Sequence, residues 1–143
     1  MNKVDKKPSI RWFYMVVGVV AMLFAGVLYA WSILKSPLAS EFGWGQSELA
    51  LCFTLAMTFF CIGGLLGAQL SKRLGHRIAL VSAGALAASG FVLTAMLRDV
   101  PVLILYLTYG VLAGVGIGIA YNVVISTVSS FFPDKKGICS GCL

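Results

Sequence analysis

Ser71-Lys72-Arg73-Leu74-Gly75-His76-Arg77 is a short basic link between two runs that carry no Asp, Glu, Lys or Arg, Leu49 to Leu70 and Ile78 to Leu97. A hydrocarbon core about 30 Å thick takes roughly 20 apolar residues of helix, and each run is that long. So short a link makes the two helices antiparallel neighbours. Its fixed cations, Lys72, Arg73 and Arg77, predict that it stays on the cytoplasmic side. The fold class that follows is an all-α integral membrane protein.

The same rule parses the rest of the chain. Residues 1–11 form a basic tail with Lys3, Lys6, Lys7 and Arg11 against Asp5. Residues 12–34 are charge-free and too long for the 7–15-residue apolar core of a cleaved signal peptide, so they read as a first transmembrane helix. Trp12, Tyr14 and Trp31 near its ends suit the membrane interfaces. Residues 35–48 read as an outer loop, broken by Pro37, Gly43 and Gly45, with Ser47 as a helix cap. A second helix spans 49–70, the cytoplasmic hinge 71–77 and a third helix 78–97. Residues 98–100 make an outer turn before Pro101, which is tolerated in a first helical turn.

A fourth helix, 101–132, is 32 residues, about 48 Å at 1.5 Å per residue. It exceeds one bilayer, so its Ser126–Ser130 end projects as a cytoplasmic extension or tilts. Residues 133–143 then give an inner loop and the start of a fifth helix. Inner segments carry +3, +3 and +1 and outer ones −1 and 0. Ile138 to Leu143 is too short to cross a bilayer, so the sequence predicts a fragment of a longer chain.

The chain is 59% hydrophobic and 11% charged, against about 25% charged in soluble domains. Its net charge of +6 does not point to nucleic acid, because nine of the eleven Lys and Arg sit in the three inner segments; this is the positive-inside pattern. Cys52 and Cys61 lie in apolar runs. Cys139-Ser-Gly-Cys142 has redox or zinc spacing but no second ligand pair. No metal, cofactor or nucleophile–base pair is expected. Gly114-Val-Gly116-Ile-Gly118 lacks the strand and spacing of a nucleotide-binding loop.

In lipid, helices associate through close backbone contact between small residues. Gly110, Gly114 and Gly118 recur every fourth residue on one face of helix four, with Gly116 beside them. Gly63, Gly64, Gly67 and Ala68 supply helix two, and Gly84 and Ala88 helix three. Packing is the first expectation; sliding or bending of helix four during transport is the second.

Ala68 to Arg77 resembles the signature between the second and third helices of the major facilitator superfamily, Gly-x-x-x-Asp-Arg/Lys-x-Gly-x-Arg. Arg73, Gly75 and Arg77 match; Ala68 and Lys72 stand where Gly and Asp are usual. Gly114, Gly116 and Gly118 resemble its fourth-helix glycine cluster, with Gly110 where many members have arginine. Tyr29-Ala-Trp31-Ser32, Pro37-Leu38, Phe42-Gly43-Trp44, Tyr106-Leu-Thr-Tyr109-Gly110, Tyr121-Asn122 and Phe131 to Gly137 resemble the oxalate/formate antiporter family.

The resemblance implies a twelve-helix carrier working by alternating access, each half built of inverted three-helix repeats. This chain would be the first part of its N-terminal half, in the plasma membrane. It would need the missing C-terminal half, where such carriers hold the basic residues that meet a carboxylate. The implied partners are a lipid bilayer and a small organic anion such as oxalate or formate.

No ionisable group lies within the four apolar runs, so polar groups must do the work there. Tyr29, Tyr121 and Asn122 are the expected pathway residues, offering phenol and amide groups. An interface anchor for Tyr29 and interhelical hydrogen bonds for the other two are the plain alternatives. Lys35 reads as a snorkelling flank residue and His76 as a solvated one. The rival functions are a complete four-helix exporter of small cations, which needs a membrane-embedded acid that helix one lacks, and a non-transporting scaffold or remnant.

Overall fold

The structure, a computed structural model, describes residues 8–98, 101–133 and 136–143. The tail cations Lys3, Lys6 and Lys7, the turn residues Asp99 and Val100, and Asp134-Lys135 lie outside the described residues. Four helical rods are long and apolar enough to cross a membrane. The first span joins α1 (Pro8–Ala25), a 3₁₀ segment (Gly26–Ala30) and α2 (Trp31–Phe42). The second is α3 (Gln46–Leu74) and the third α4 (His76–Ala95). The fourth joins α5 (Val102–Leu105), a π-helical segment (Tyr106–Ala113) and α6 (Gly114–Phe131). A short α7 (Lys136–Cys142) follows. No strand occurs among the described residues.

The fourth span is the centre of the bundle. It packs most extensively on α3, then on α4, and more lightly on α1. Hydrocarbon gives no hydrophobic drive between helices, so van der Waals contact must hold them, and glycine permits the closest approach. Gly114 lies against Ala56, where an added Cβ would stand 2.8 Å from the Ala56 carbonyl oxygen, and Gly118 lies against the Phe60 carbonyl. From the other side, Gly63 meets Val115 and Gly67 meets Ile119. Gly110 approaches Leu55 at a looser 3.4 Å.

Gly116 is turned to α4 instead. A Cβ there would stand 2.5 Å from the Ala87 nitrogen, and one on Gly90 would stand 2.6 Å from the Ala113 nitrogen. The small face of α4 is Ala79, Ala83, Ala87 and Gly90. Gly84 and Ala88, expected there, are exposed, and nothing lies within 4 Å of a Cβ at Gly84. The Thr94 hydroxyl donates to the Thr108 hydroxyl at 3.0 Å, a polar tie between third and fourth spans.

Three local expectations need correction. The first span does not stop at Leu34: the helix runs through Pro37 to Phe42. Leu38, Ala39 and Trp44 pack on the core that contains Trp31 and Leu49, and that burial outweighs the missing proline N–H. Gly43 then ends the helix at φ 67°, donating its N–H to Ala39. Second, α3 begins at Gln46 rather than after Ser47; Glu48 reaches back to accept the Gly45 N–H at 2.8 Å, a carboxylate where the helix dipole favours one. Third, Trp31 is no interface anchor. It is 5% exposed, with its ring 4.7 Å from that of Tyr109.

The contact distances order the glycines. Gly84→Ala should leave the melting temperature in detergent unchanged, and Gly110→Ala should lower it slightly. Gly116→Ala and Gly118→Ala should each cost about 1–3 kcal/mol, the usual range for overpacking. A thermal scan with a thiol-reactive dye reads the series, and equal shifts at 84 and 116 would contradict it.

Candidate functional site

The 3₁₀ segment of the first span carries Tyr29, which is 61% exposed. The α6 helix carries Tyr121, 41% exposed, its ring 5.3 Å from that of Phe60 on α3. Tyr29, Phe60 and Tyr121 line one cleft of about 230 Å³, with Met22, Ala25, Gly26 and Leu143 completing its wall. Neither phenol has a hydrogen-bond partner among the described residues. The site is therefore a concave wall with two free hydroxyls and no Asp, Glu, Lys or Arg side chain among its lining residues. Each can donate one hydrogen bond to an acceptor such as a carboxylate oxygen.

Asn122, the third expected pathway residue, is half-buried one position on and does not line this cleft. Adjacent residues of a helix point about 100° apart, so both could not face the same space. Phe60 and Gly26 were not legible as site residues, because only the packing of three spans brings them beside Tyr29.

Tyr109 is a further residue that spacing did not single out. It is 1% exposed, and its hydroxyl donates to the Leu28 carbonyl at 3.2 Å. Its ring also meets Phe91 edge-on at 5.9 Å. One side chain of the fourth span thus touches the first and third spans at once.

The basic hinge is tighter than its seven residues suggest. Ser71 to Leu74 finish α3 and His76 starts α4, so Gly75 alone makes the link. Its φ of 86° and ψ of 160° lie in a region essentially open only to glycine. This is the physical reason for a glycine at this point of the motif. Lys72 and Arg73 fall in the last turn of α3, where the helix dipole favours cations. Lys72, Arg73 and Arg77 are exposed and form no ion pair among the described residues. The Ser71 hydroxyl and His76 Nδ1 share a hydrogen bond across the link. At position 68 alanine replaces the usual glycine; the close approach falls instead to Gly67, where a Cβ would stand 3.0 Å from Ile119 Cα.

A tightly glycine-packed fourth span stands beside the basic link that carries Arg73, Gly75 and Arg77. Residues 3–141 match the sequence profile of the Major Facilitator Superfamily. The chain belongs to the major facilitator superfamily. Among curated relatives, it is 34% identical over 132 residues to the oxalate:formate antiporter of Oxalobacter formigenes, covering 92% of this chain and 31% of that protein. An uncharacterized MFS-type transporter of Escherichia coli is 28% identical over 130 residues, 91% of this chain and 32% of its own length. Monocarboxylate transporter 3 of Rattus norvegicus is 27% identical over 137 residues, 94% of this chain and 28% of its own length. The chain spans about a third of the length of the curated relatives it matches. Members of this superfamily are multi-pass membrane transporters, and the four apolar spans fit that architecture.

Gly75→Ala forces a side chain into the glycine-only region and should cost roughly 1–3 kcal/mol. The same thermal scan checks it, with Gly84→Ala as the helical control; a hinge variant as stable as that control would refute the strain.

Proposed function

We propose that this chain is part of the N-terminal half of a secondary carrier for small carboxylates, oxalate and formate foremost, working by alternating access. The cleft between the first and fourth spans carries the reading. There Tyr29 and Tyr121 offer uncommitted hydroxyls, in a chain 34% identical to an oxalate:formate antiporter.

Two neutral donors are not enough to hold a carboxylate out of water, since a buried charge needs hydrogen bonds and a counter-charge together. Residues 12–34 and 101–133 contain no charged side chain. The counter-charge therefore comes from helices beyond these four, in the other half of the carrier. The phenols orient the anion and their apolar surroundings keep water from it. Neutral residues in this half leave the charge balance to the partner half, so the anion is released when the halves part.

The orientation follows from the cations. Residues 71–77 and the basic N-terminus lie on the cytoplasmic side of the plasma membrane, and the link between first and second spans lies outside. Asn122 lies outside the cleft.

The test is exchange in proteoliposomes by the chain supplied with the remaining helices of an oxalate:formate-type carrier. Tyr29→Phe and Tyr121→Phe should each lower kcat/KM for the transported anion about tenfold, the loss of one hydrogen bond to a charged group. Failure to exchange any mono- or dicarboxylate removes the substrate class. For orientation, single cysteines at His76 and Glu41 should react with an impermeant maleimide from opposite faces of intact cells; reaction from one face refutes the proposed threading.

A further inference from the structure

Both the first and fourth spans depart from α geometry, and the two departures touch. The 3₁₀ segment Gly26–Ala30 and the π-helical segment Tyr106–Ala113 are joined by the hydrogen bond from the Tyr109 hydroxyl to the Leu28 carbonyl, 3.2 Å long and fully buried. Nothing local demands the 3₁₀ winding. Neither Pro nor a side-chain cap is present at Gly26–Ala30, and a Cβ on Gly26 would meet nothing within 4 Å. Runs of 3₁₀ helix have the poorer hydrogen-bond geometry and are used in short pieces. An outside tie must hold this one, and Tyr109 is placed to do so.

The winding decides where Tyr29 points. A 3₁₀ helix turns about 120° per residue and an α-helix about 100°. By Tyr29, the fourth residue of the segment, the two differ by about 80°, enough to carry a side chain from one helix face to the next. Tyr29 follows directly on Leu28, whose carbonyl takes the bond. Tyr109 itself is 1% exposed and lines no part of the cleft. Trp31 and Phe91 fix its ring from two sides, so the hydroxyl has little freedom to go elsewhere.

We propose that Tyr109 is a positioning residue for the substrate pathway: through the Leu28 carbonyl it holds the first span in the 3₁₀ winding that sets Tyr29 in the cleft beside Tyr121. This rests on the reading of that cleft as the anion pathway. The π-helical segment gives the tie a second consequence. Any change of winding in Tyr106–Ala113 moves the Tyr109 hydroxyl, and with it the segment that carries Tyr29. The fourth span, packed on α3 and α4, thereby controls the aromatic wall of the first.

The test reads Tyr29 directly. Tyr29→Cys is made with the exposed thiols Cys61 and Cys142 replaced by serine, while the buried Cys52 and Cys139 remain. The chain is labelled in membranes with a small methanethiosulfonate reagent. Tyr109→Phe, which keeps the ring, should slow labelling at position 29 at least fivefold. Thr108→Ala, which removes the neighbouring hydroxyl, should leave it unchanged, and Cys52 should stay unreactive throughout. An unchanged rate at 29 in Tyr109→Phe overturns the proposal. So does new labelling of Cys52, which would make Tyr109 a general prop of the bundle. If Tyr109→Phe does not accumulate, Tyr109→Met, which also removes the hydroxyl, is read in its place: slower labelling at 29 supports the proposal and an unchanged rate overturns it. Oxalate protection of Tyr29→Cys, measured in the exchange-competent preparation, separates the two readings. Its absence beside an intact Tyr109 effect strikes the anion pathway and leaves the positioning role standing.

Discussion

Backbone-to-backbone contact along the fourth span is the constraint on which the bundle rests. In water, burial of apolar area would hold these helices; in lipid that term vanishes, and short-range contact must replace it. The fourth span meets this with two glycine faces. Gly110, Gly114 and Gly118 are turned to α3, and Gly116 is turned to α4, where Ala83 and Ala87 face it. Because α3 and α4 are also joined by one residue at Gly75, second, third and fourth spans form a tight three-helix unit.

The first span is held differently. It packs on the fourth span less extensively, and much of its hold is aromatic. At the hinge end, Tyr14 stacks on Phe131 at 4.4 Å, while Trp12 and the Arg11 guanidinium meet Phe132 at 6.1 and 4.8 Å. At the other end, Trp31 and Tyr109 meet inside the core. Side-chain contacts of this kind can be exchanged for others more readily than glycine-backed ones, where no atom has room to shift. The candidate site lies where the first span meets the second and fourth.

The hinge shows how charge and backbone geometry are separated. Lys72, Arg73 and Arg77 are exposed and unpaired among the described residues, so the packing of the helices does not rest on them. Gly75 carries the structural demand alone, through a φ,ψ pair closed to other residues. This accounts for the tolerance of lysine where the superfamily pattern has aspartate: the reversal of direction does not depend on that side chain.

Four apolar helices and their antiparallel link were legible in the sequence, because hydropathy, charge and a glycine every fourth residue act through local period alone; the superfamily was legible through the resemblance of Ala68 to Arg77 and of the fourth-helix glycines to its signature. The run past Pro37 to Phe42, the burial of Trp31 and the assignment of Gly116 to α4 rather than α3 were not. Each depends on which neighbour a helix face meets, and residue spacing fixes a face without naming its partner. The same holds at the site. Tyr29 and Tyr121 could be picked out as polar groups in apolar runs, but only the packed bundle puts them in one cleft and leaves Asn122 out. The 3₁₀ and π segments near them have no signature in composition, and the hydrogen bond that joins the two segments links residues 81 positions apart.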